Sequence, residues 1–320
     1  MEEITVVQLA KDMRYEGFLL VRSAEQRIDK KGSFYLDITL CDRSGEINGK
    51  IWNWNSLETP PASGSVVKVR GTVQEFNGRL QLRVELWRMM RAEDEVDMRR
   101  LIPSAPESPE TMRGEIDRVI DSFESESLRK LTREMLRLAG DELDFYPAAQ
   151  RMHHAERAGL LHHTTSMLVT AQKILEAYPF LHRDLLLAGV IVHDLAKIDE
   201  MQSDALGNVT DYTRDGLLIG HLVRGVSRLD EAARNTGVGG ETLALLEHML
   251  ISHHGEPEFG SPRRPMFPEA EALHWIDTFD AKMNEMQTIQ ERTPEGAFSE
   301  RIKYLDDRRM YHPRYTDDAQ

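Results

Sequence analysis

With 320 residues, 29% of them charged and 40% hydrophobic, the chain has room for two domains that each bury a core, and no apolar run approaches the roughly 20 residues that span a bilayer. The acidic start Met1-Glu-Glu-Ile-Thr5 lacks a secretory leader pattern, and a single cysteine, Cys41, excludes an intrachain disulfide and suits a reducing cytoplasm. The net charge of −14 does not exclude a nucleic-acid partner, because residues 1–100 balance 16 Lys+Arg against 16 Asp+Glu and the whole excess lies beyond them, where bound cations would offset carboxylates.

The first hundred residues read as short strands. Phe18-Leu-Leu-Val21 is an apolar run, and Ser33–Leu40 alternates in period two. Ile47–Trp52 follows a turn signal at Asp42-Arg-Ser-Gly45. Ser65–Val73 and Arg79–Leu86 flank a hairpin turn at Asn77-Gly78. Five strands, with a long connection between the third and fourth, predict an OB-fold barrel over residues 1–98. Such barrels bind single strands by stacking bases on aromatic rings beside basic groups. The aromatic candidates are Phe34, Tyr35, Trp52, Trp54 and Phe76, with Trp52 and Trp54 expected on one face. The basic candidates are Lys30, Lys31, Lys50, Arg79 and Arg83. Alternation sends about half of the aromatics into the core. Phe34, Trp52 and Lys50 are the contacts we expect with a strand.

Residues 99–111 contain Pro-Ser-Ala-Pro-Glu-Ser-Pro (103–109) and read as a linker. From 112 to 310 the pattern is helical. Leu128, Leu131, Met135 and Leu138 recur at helical spacing, and Leu160–Ala177 is an apolar helix ended by Tyr178-Pro179. Asp184–Leu195, Gly216–Asn235, Gly240–Ser252 and Pro268–Thr288 are further helices. Residues 311–320 read as a polar tail. The fold class is multidomain: an all-β OB-fold barrel, then an all-α bundle.

Seven side chains of that bundle read as one metal site: His163, His193, Asp194, His221, His253, His254 and Asp277. At His193-Asp194 and again at Asp277, an apolar run ends abruptly in charge. Buried helix ends seldom carry an unpaired Asp. One such histidine alone reads as a satisfied core or surface residue. Several of them beside separate apolar helical runs do not. Imidazole and carboxylate hold Mn, Fe, Co, Ni or Zn. Seven ligands exceed one four-coordinate ion and suit two. His163, His193, Asp194 and Asp277 would surround one, His221, His253 and His254 the other, with Asp194 bridging. Two such ions activate a water for in-line attack on a phosphodiester and stabilise the leaving oxygen. Lys197, one turn after His193, is expected on the scissile phosphate; its plain alternative is a helix-end lysine on free carbonyls. His154 and Arg264 are expected to contact substrate, and His153 to be solvated.

The order His, His-Asp, Asp resembles the HD-domain phosphohydrolases. His193-Asp-Leu-Ala-Lys197, with His221 and His253-His254, resembles their two-metal branch. After His254 the chain reads Gly-Glu-Pro-Glu-Phe-Gly-Ser-Pro, without the Gly-Tyr-Pro signature of that branch's cyclic-dinucleotide enzymes. Over nearly its full length the chain resembles the YhaM-type 3′-to-5′ exoribonucleases. The resemblance is carried by Gly45-Glu-Ile-Asn-Gly-Lys-Ile-Trp52, Ser104–Pro109, Tyr146-Pro-Ala-Ala149, His153-His154, Phe180–Leu186, Ser252-His-His-Gly255, Gly260-Ser-Pro262 and His274–Met283. It implies a cytoplasmic, metal-dependent enzyme, commonly active with Mn²⁺, that trims single-stranded RNA and sometimes DNA from the 3′ end. It also implies a homo-oligomer, a hexamer.

Two rivals remain at this level. An HD phosphohydrolase of small nucleotides (a nucleoside triphosphate, alarmone or cyclic nucleotide) would leave the barrel without a task. A non-enzymatic single-strand-binding protein with a structural metal would favour closed, cysteine-rich coordination.

Overall fold

The computed structural model describes residues 4–150, 154–204, 207 and 209–315. The chain divides into two compact units, Met1–Ser104 and Ala105–Gln320, each with its own core.

In the first unit β1 (Arg14–Ile28), β2 (Phe34–Asp42), β3 (Gly45–Trp52), β4 (Val66–Phe76) and β5 (Arg79–Met89) close a barrel in the order β1-β2-β3-β5-β4. This is the expected OB-type barrel. On β2, Leu36, Ile38 and Leu40 are buried while Tyr35, Asp37 and Thr39 stay partly exposed. β1 outruns its apolar stretch because it serves two partners. Arg14–Leu20 pair with β4 and Leu20–Ile28 with β2, and an irregularity between Val21 and Ser23 bends the strand. β3 and β5 pair in parallel through Asn48–Ile51 and Gln81–Val84. Asn77 and Gly78 both take positive φ, 51° and 73°, as a two-residue hairpin turn requires. Trp54 does not share the face of Trp52. Asn53 takes φ 56° and breaks the alternation, so Trp54 is buried in the barrel core while Trp52 is 46% exposed.

The second unit contains α1 (Pro109–Asp121), α2 (Glu126–Ala139), α3 (Gly159–Ala177), α4 (Arg183–Val192), α5 (Lys197–Glu200), α6 (Arg214–Leu218), α7 (Gly220–Thr236), α8 (Glu241–Ser252) and α9 (Pro268–Arg292). A small antiparallel pair, β6 (Met201–Ser203) with β7 (Val209–Tyr212), interrupts the otherwise helical unit. Every residue of α4 from Asp184 to Val192 is buried, which is why its sequence is apolar all round rather than striped. α3, α8 and α9 pack against it. Among the described residues no helix is long and apolar enough to cross a membrane.

Residues 99–111, expected as a linker, are packed. Ala105 belongs to the helical core, and the Ser108 hydroxyl caps α1 by accepting from the Thr111 amide. Pro109 sits in the first turn of α1, where its missing N–H is not needed. The helix expected over Gly216–Asn235 breaks at Gly220, whose φ of 76° ends α6 and places His221 on the first turn of α7. Residues 296–312 fold into an arch. The Ser299 amide donates to Met310 O at 2.8 Å and the His312 amide to Ala297 O at 3.0 Å, with Leu305 buried beneath.

Candidate metal centre

Asp194 lies at the middle of a ring of histidines. The His193 amide closes α4 on Gly189 O, and the chain then turns sharply into α5. His163 comes from near the start of α3, His221 from α7, His253 and His254 from the end of α8, and Asp277 from α9. Asp194 Oδ2 is 3.3 Å from His193 Nε2 and 3.8 Å from His163 Nε2. Its Oδ1 is 3.5 Å from His221 Nε2 and 3.6 Å from His253 Nε2. Asp277 Oδ1 is 3.2 Å from His163 Nε2. Donor atoms of His163, His193 and Asp277 lie within 4.8 Å of one another, and so do those of His221, His253 and His254. The seven side chains thus come together as two groups, with one oxygen of Asp194 turned toward each. His163, His193, Asp194 and His253 are each at most 2% exposed.

The outer nitrogen of every ring is anchored. Nδ1 of His193 donates to Val190 O at 2.8 Å, that of His253 to Leu250 O at 2.8 Å, and that of His254 to Phe259 O at 2.9 Å. His163 Nδ1 is 2.8 Å from Asp280 and His221 Nδ1 is 2.7 Å from Glu200. Carbonyls and carboxylates only accept, so the proton sits on Nδ1 and Nε2 directs a lone pair inward. Metal-ligating histidines are oriented in this way. Nε2 of His193, His221 and His253, and Oδ1 of Asp194, are buried with no hydrogen-bond partner among the described residues. Buried polar atoms are costly unless paired. Lone pairs converging on a carboxylate cannot pair with one another, so the donor set fits divalent cations.

The charge states of His253 and His254 agree, whereas, against its burial, Asp277 and Asp280 raise the pKa of the His163 ring, so a cation at that group would displace its inner proton. Burial pushes the His253 ring down to about 3 and also lowers His254, so both are neutral donors at pH 7. Burial opposes ionisation of Asp194, yet Lys197 and His193 hold it well below the usual carboxylate range. Asp277 is likewise held down, against its burial, by His163. Lys197 Nζ is 2.6 Å from Asp194 Oδ2 on a side chain only 12% exposed. Burial disfavours its charge, and the Asp194 carboxylate more than restores it.

Neither Asp280 nor Glu200 stands out in the sequence, although each lies one helical turn beyond a residue that does, Asp277 and Lys197 respectively. Asp280 accepts from His163, His154 and the Ser166 hydroxyl. His154, expected to contact substrate, is 3% exposed and stands behind this carboxylate, with Nε2 2.8 Å from Asp280 and Nδ1 3.1 Å from His162 Nδ1. It steadies the anchor of His163 and offers no open ring face. His162 in turn is 2.7 Å from Glu156. His153 lies outside the described residues. Arg264 is not gathered into the cluster; its exposed guanidinium pairs with Glu256 at 2.6 Å. Because anchors of this kind hold ligand orientation, Asp280→Ala is expected to weaken metal affinity by about 10- to 100-fold while the protein still melts cooperatively. Equilibrium dialysis against Mn²⁺ checks this, and unchanged affinity would show that His163 needs no anchor.

On the barrel, Lys50 and Trp52 pair in register with Asp37 and Tyr35. The Trp52 and Tyr35 rings are 5.0 Å apart, and Lys50 Nζ lies 5.1 Å from the Tyr35 centroid and 2.6 Å from Asp37. Phe34, expected beside them, faces the other way and packs on the barrel core, so Tyr35 is the outer aromatic at that point of β2.

Comparison with known proteins follows the same division. A family model described as an OB-fold nucleic acid binding domain matches residues 20–89, and one described as an HD domain matches residues 160–282, a span that holds all seven clustered residues and Asp280. The chain is 37% identical over 301 residues to the 3′-5′ exoribonuclease YhaM of Halalkalibacterium halodurans, covering 94% of this chain and 93% of that one. It is 36% identical to the protein of that name from a Geobacillus species (93% and 92% covered) and 38% identical to the one from Listeria monocytogenes (93% and 95% covered). Barrel, helical unit and nearly the whole length match together, and the chain belongs to the YhaM family of 3′-5′ exoribonucleases.

Proposed function

We propose that this chain is a metal-dependent 3′-to-5′ exonuclease that hydrolyses the phosphodiester bonds of single-stranded RNA, with single-stranded DNA as a second substrate. The observation that carries the reading is Asp194, with one oxygen toward each of two groups of inward-facing lone pairs. His163, His193, Asp194 and Asp277 would hold one divalent cation, and His221, His253 and His254, with Asp194, a second. Mn²⁺ is the first choice, and Fe, Co, Ni and Zn also suit these donors. Bound there, such ions supply Lewis acidity, acidifying water and offsetting charge on phosphoryl oxygens. The chain's own residues do the rest. The Nδ1 anchors fix ring orientation, burial keeps bulk water from Asp194, and Lys197 would meet an oxygen of the scissile phosphate. On the barrel, Trp52 stacks on bases and Lys50 offsets phosphate charge. Arg264 remains a candidate phosphate contact on its exposed loop.

The small-nucleotide alternative gains no support from a barrel with an exposed aromatic and basic face. A cytoplasmic setting rests on the single cysteine. A homo-hexamer rests on the family resemblance, and light scattering measures it. The test of activity uses purified protein, Mn²⁺ and a single-stranded RNA labelled at its 5′ end. A ladder shortening from the 3′ end with release of mononucleotides is expected. An intact oligonucleotide across several metals would sink the reading and direct the search to small nucleotides.

A further inference from the structure

The loop from α8 to α9 is fastened to the candidate metal centre. Phe259 O accepts from His254 Nδ1 at 2.9 Å, and His274 Nδ1 donates to His253 O at 2.8 Å. Gly255 takes φ 78° so close to His274 that a Cβ would lie 2.4 Å from its ring. Pro257–Phe259 form a tight turn closed by the Gly260 amide on Pro257 O, and Ser261 beyond it is 1% exposed. A loop tied down in this way has a rigid backbone. Yet the Phe259 side chain at its crest is 71% exposed and belongs to neither core. Leaving a whole aromatic ring in water forgoes the free energy of burying it. The carbonyl of this same residue orients a candidate ligand, one imidazole away from the centre.

We propose that Phe259 is the platform on which the base of the 3′-terminal nucleotide stacks when its phosphodiester lies at the metal centre. The proposal rests on the exonuclease reading and adds the group that positions the departing nucleotide. Every base has a π face, so stacking tolerates any sequence. An enzyme that removes successive nucleotides whatever their identity needs a contact of that kind rather than hydrogen-bond readout. A rigid backbone makes the platform cheap in entropy, since only the ring and the base are ordered on binding.

The test compares an RNA with an ordinary 3′-terminal nucleotide and one whose terminal nucleotide lacks its base. For the native protein, removing the base is expected to raise KM by about 5- to 150-fold. Phe259→Ala should raise KM for the ordinary RNA by a similar factor, leave the base-less RNA unaffected and keep the native metal content. Phe259→Trp should restore the ordinary value. Met266→Ala removes another side chain of the same loop, 79% exposed, whose amide bonds to His248, and should match the native protein. Native-like KM in Phe259→Ala, with RNA still degraded, overturns the platform and leaves the exonuclease reading standing. Equal loss on both RNAs, or loss of metal, shows that Phe259 merely holds the loop on His254. Failure of the native protein to degrade RNA rejects the exonuclease reading itself.

Discussion

Asp194→Ala is expected to abolish hydrolysis of single-stranded RNA, with kcat/KM falling on the order of 10³-fold or more. Asp194 is the only one of the seven clustered residues with an atom toward both groups: Oδ2 faces His193 and His163, and Oδ1 faces His221 and His253. Its removal would take from both candidate groups the anion between them and leave the Lys197 ammonium without its carboxylate. Breaking a buried pair from one side costs roughly 3–5 kcal/mol of stability. Lost activity in the alanine variant could therefore reflect unfolding, and Asp194→Asn, of the same shape and without the charge, is the companion variant. It should fold, bind fewer divalent ions per chain by elemental analysis, and still fail to shorten the RNA. A folded variant with native metal content that retains a tenth or more of the native rate would remove Asp194 from the centre of the chemistry.

Much of this site was legible because each proposed ligand interrupts an apolar run. His193-Asp194 after Leu185–Val192 and Asp277 after Ile276 are charges where a buried helix should have none; the structure buries His193 and Asp194 and leaves Asp277 half-buried beside them. The carboxylates that hold the outer nitrogens were not legible. Glu200 and Asp280 look like solvated helix positions until the histidine they meet, on another helix, is known. His154 was misplaced for the same reason: it contacts residues more than a hundred positions away. Phe34 is different, because the answer was present in the strand. It shares parity with Leu36, Ile38 and Leu40, and that face closed into the barrel. Trp54 was lost to a single residue, since alternation ends where Asn53 takes positive φ. The break at Gly220 is equally local, and it changes where His221 sits on its helix without removing it from the cluster.

Lys197→Ala is expected to lower kcat for RNA by about 10²- to 10³-fold, the range for losing one donor to a developing oxyanion, while both metals stay bound. The plain alternative, a lysine neutralising free carbonyls at a helix end, fits poorly. Lys197 opens α5, where its amide donates to Asp194 O at 2.9 Å, and a helix N-terminus favours anions over cations. Its ammonium lies instead on Asp194 Oδ2, nearly buried, and it stays charged there because that carboxylate outweighs the cost of burial. On the proposed reading, a cation that shares its carboxylate with the candidate metal centre would meet a phosphate oxygen bound there. The anion it would then serve is the one whose charge grows as the P–O bond breaks, so its loss should fall on kcat more than on KM. Metal content separates this role from a structural one. If Lys197→Ala loses metal together with turnover, the ammonium's task is to hold Asp194 ionised and in place. If turnover stays within about threefold of native with the metals retained, neither role survives. Lys197→Arg sharpens the comparison: a guanidinium keeps the charge but needs more room than a 12% exposed side chain leaves. Partial activity there, with full metal content, would mark charge at that point as the requirement.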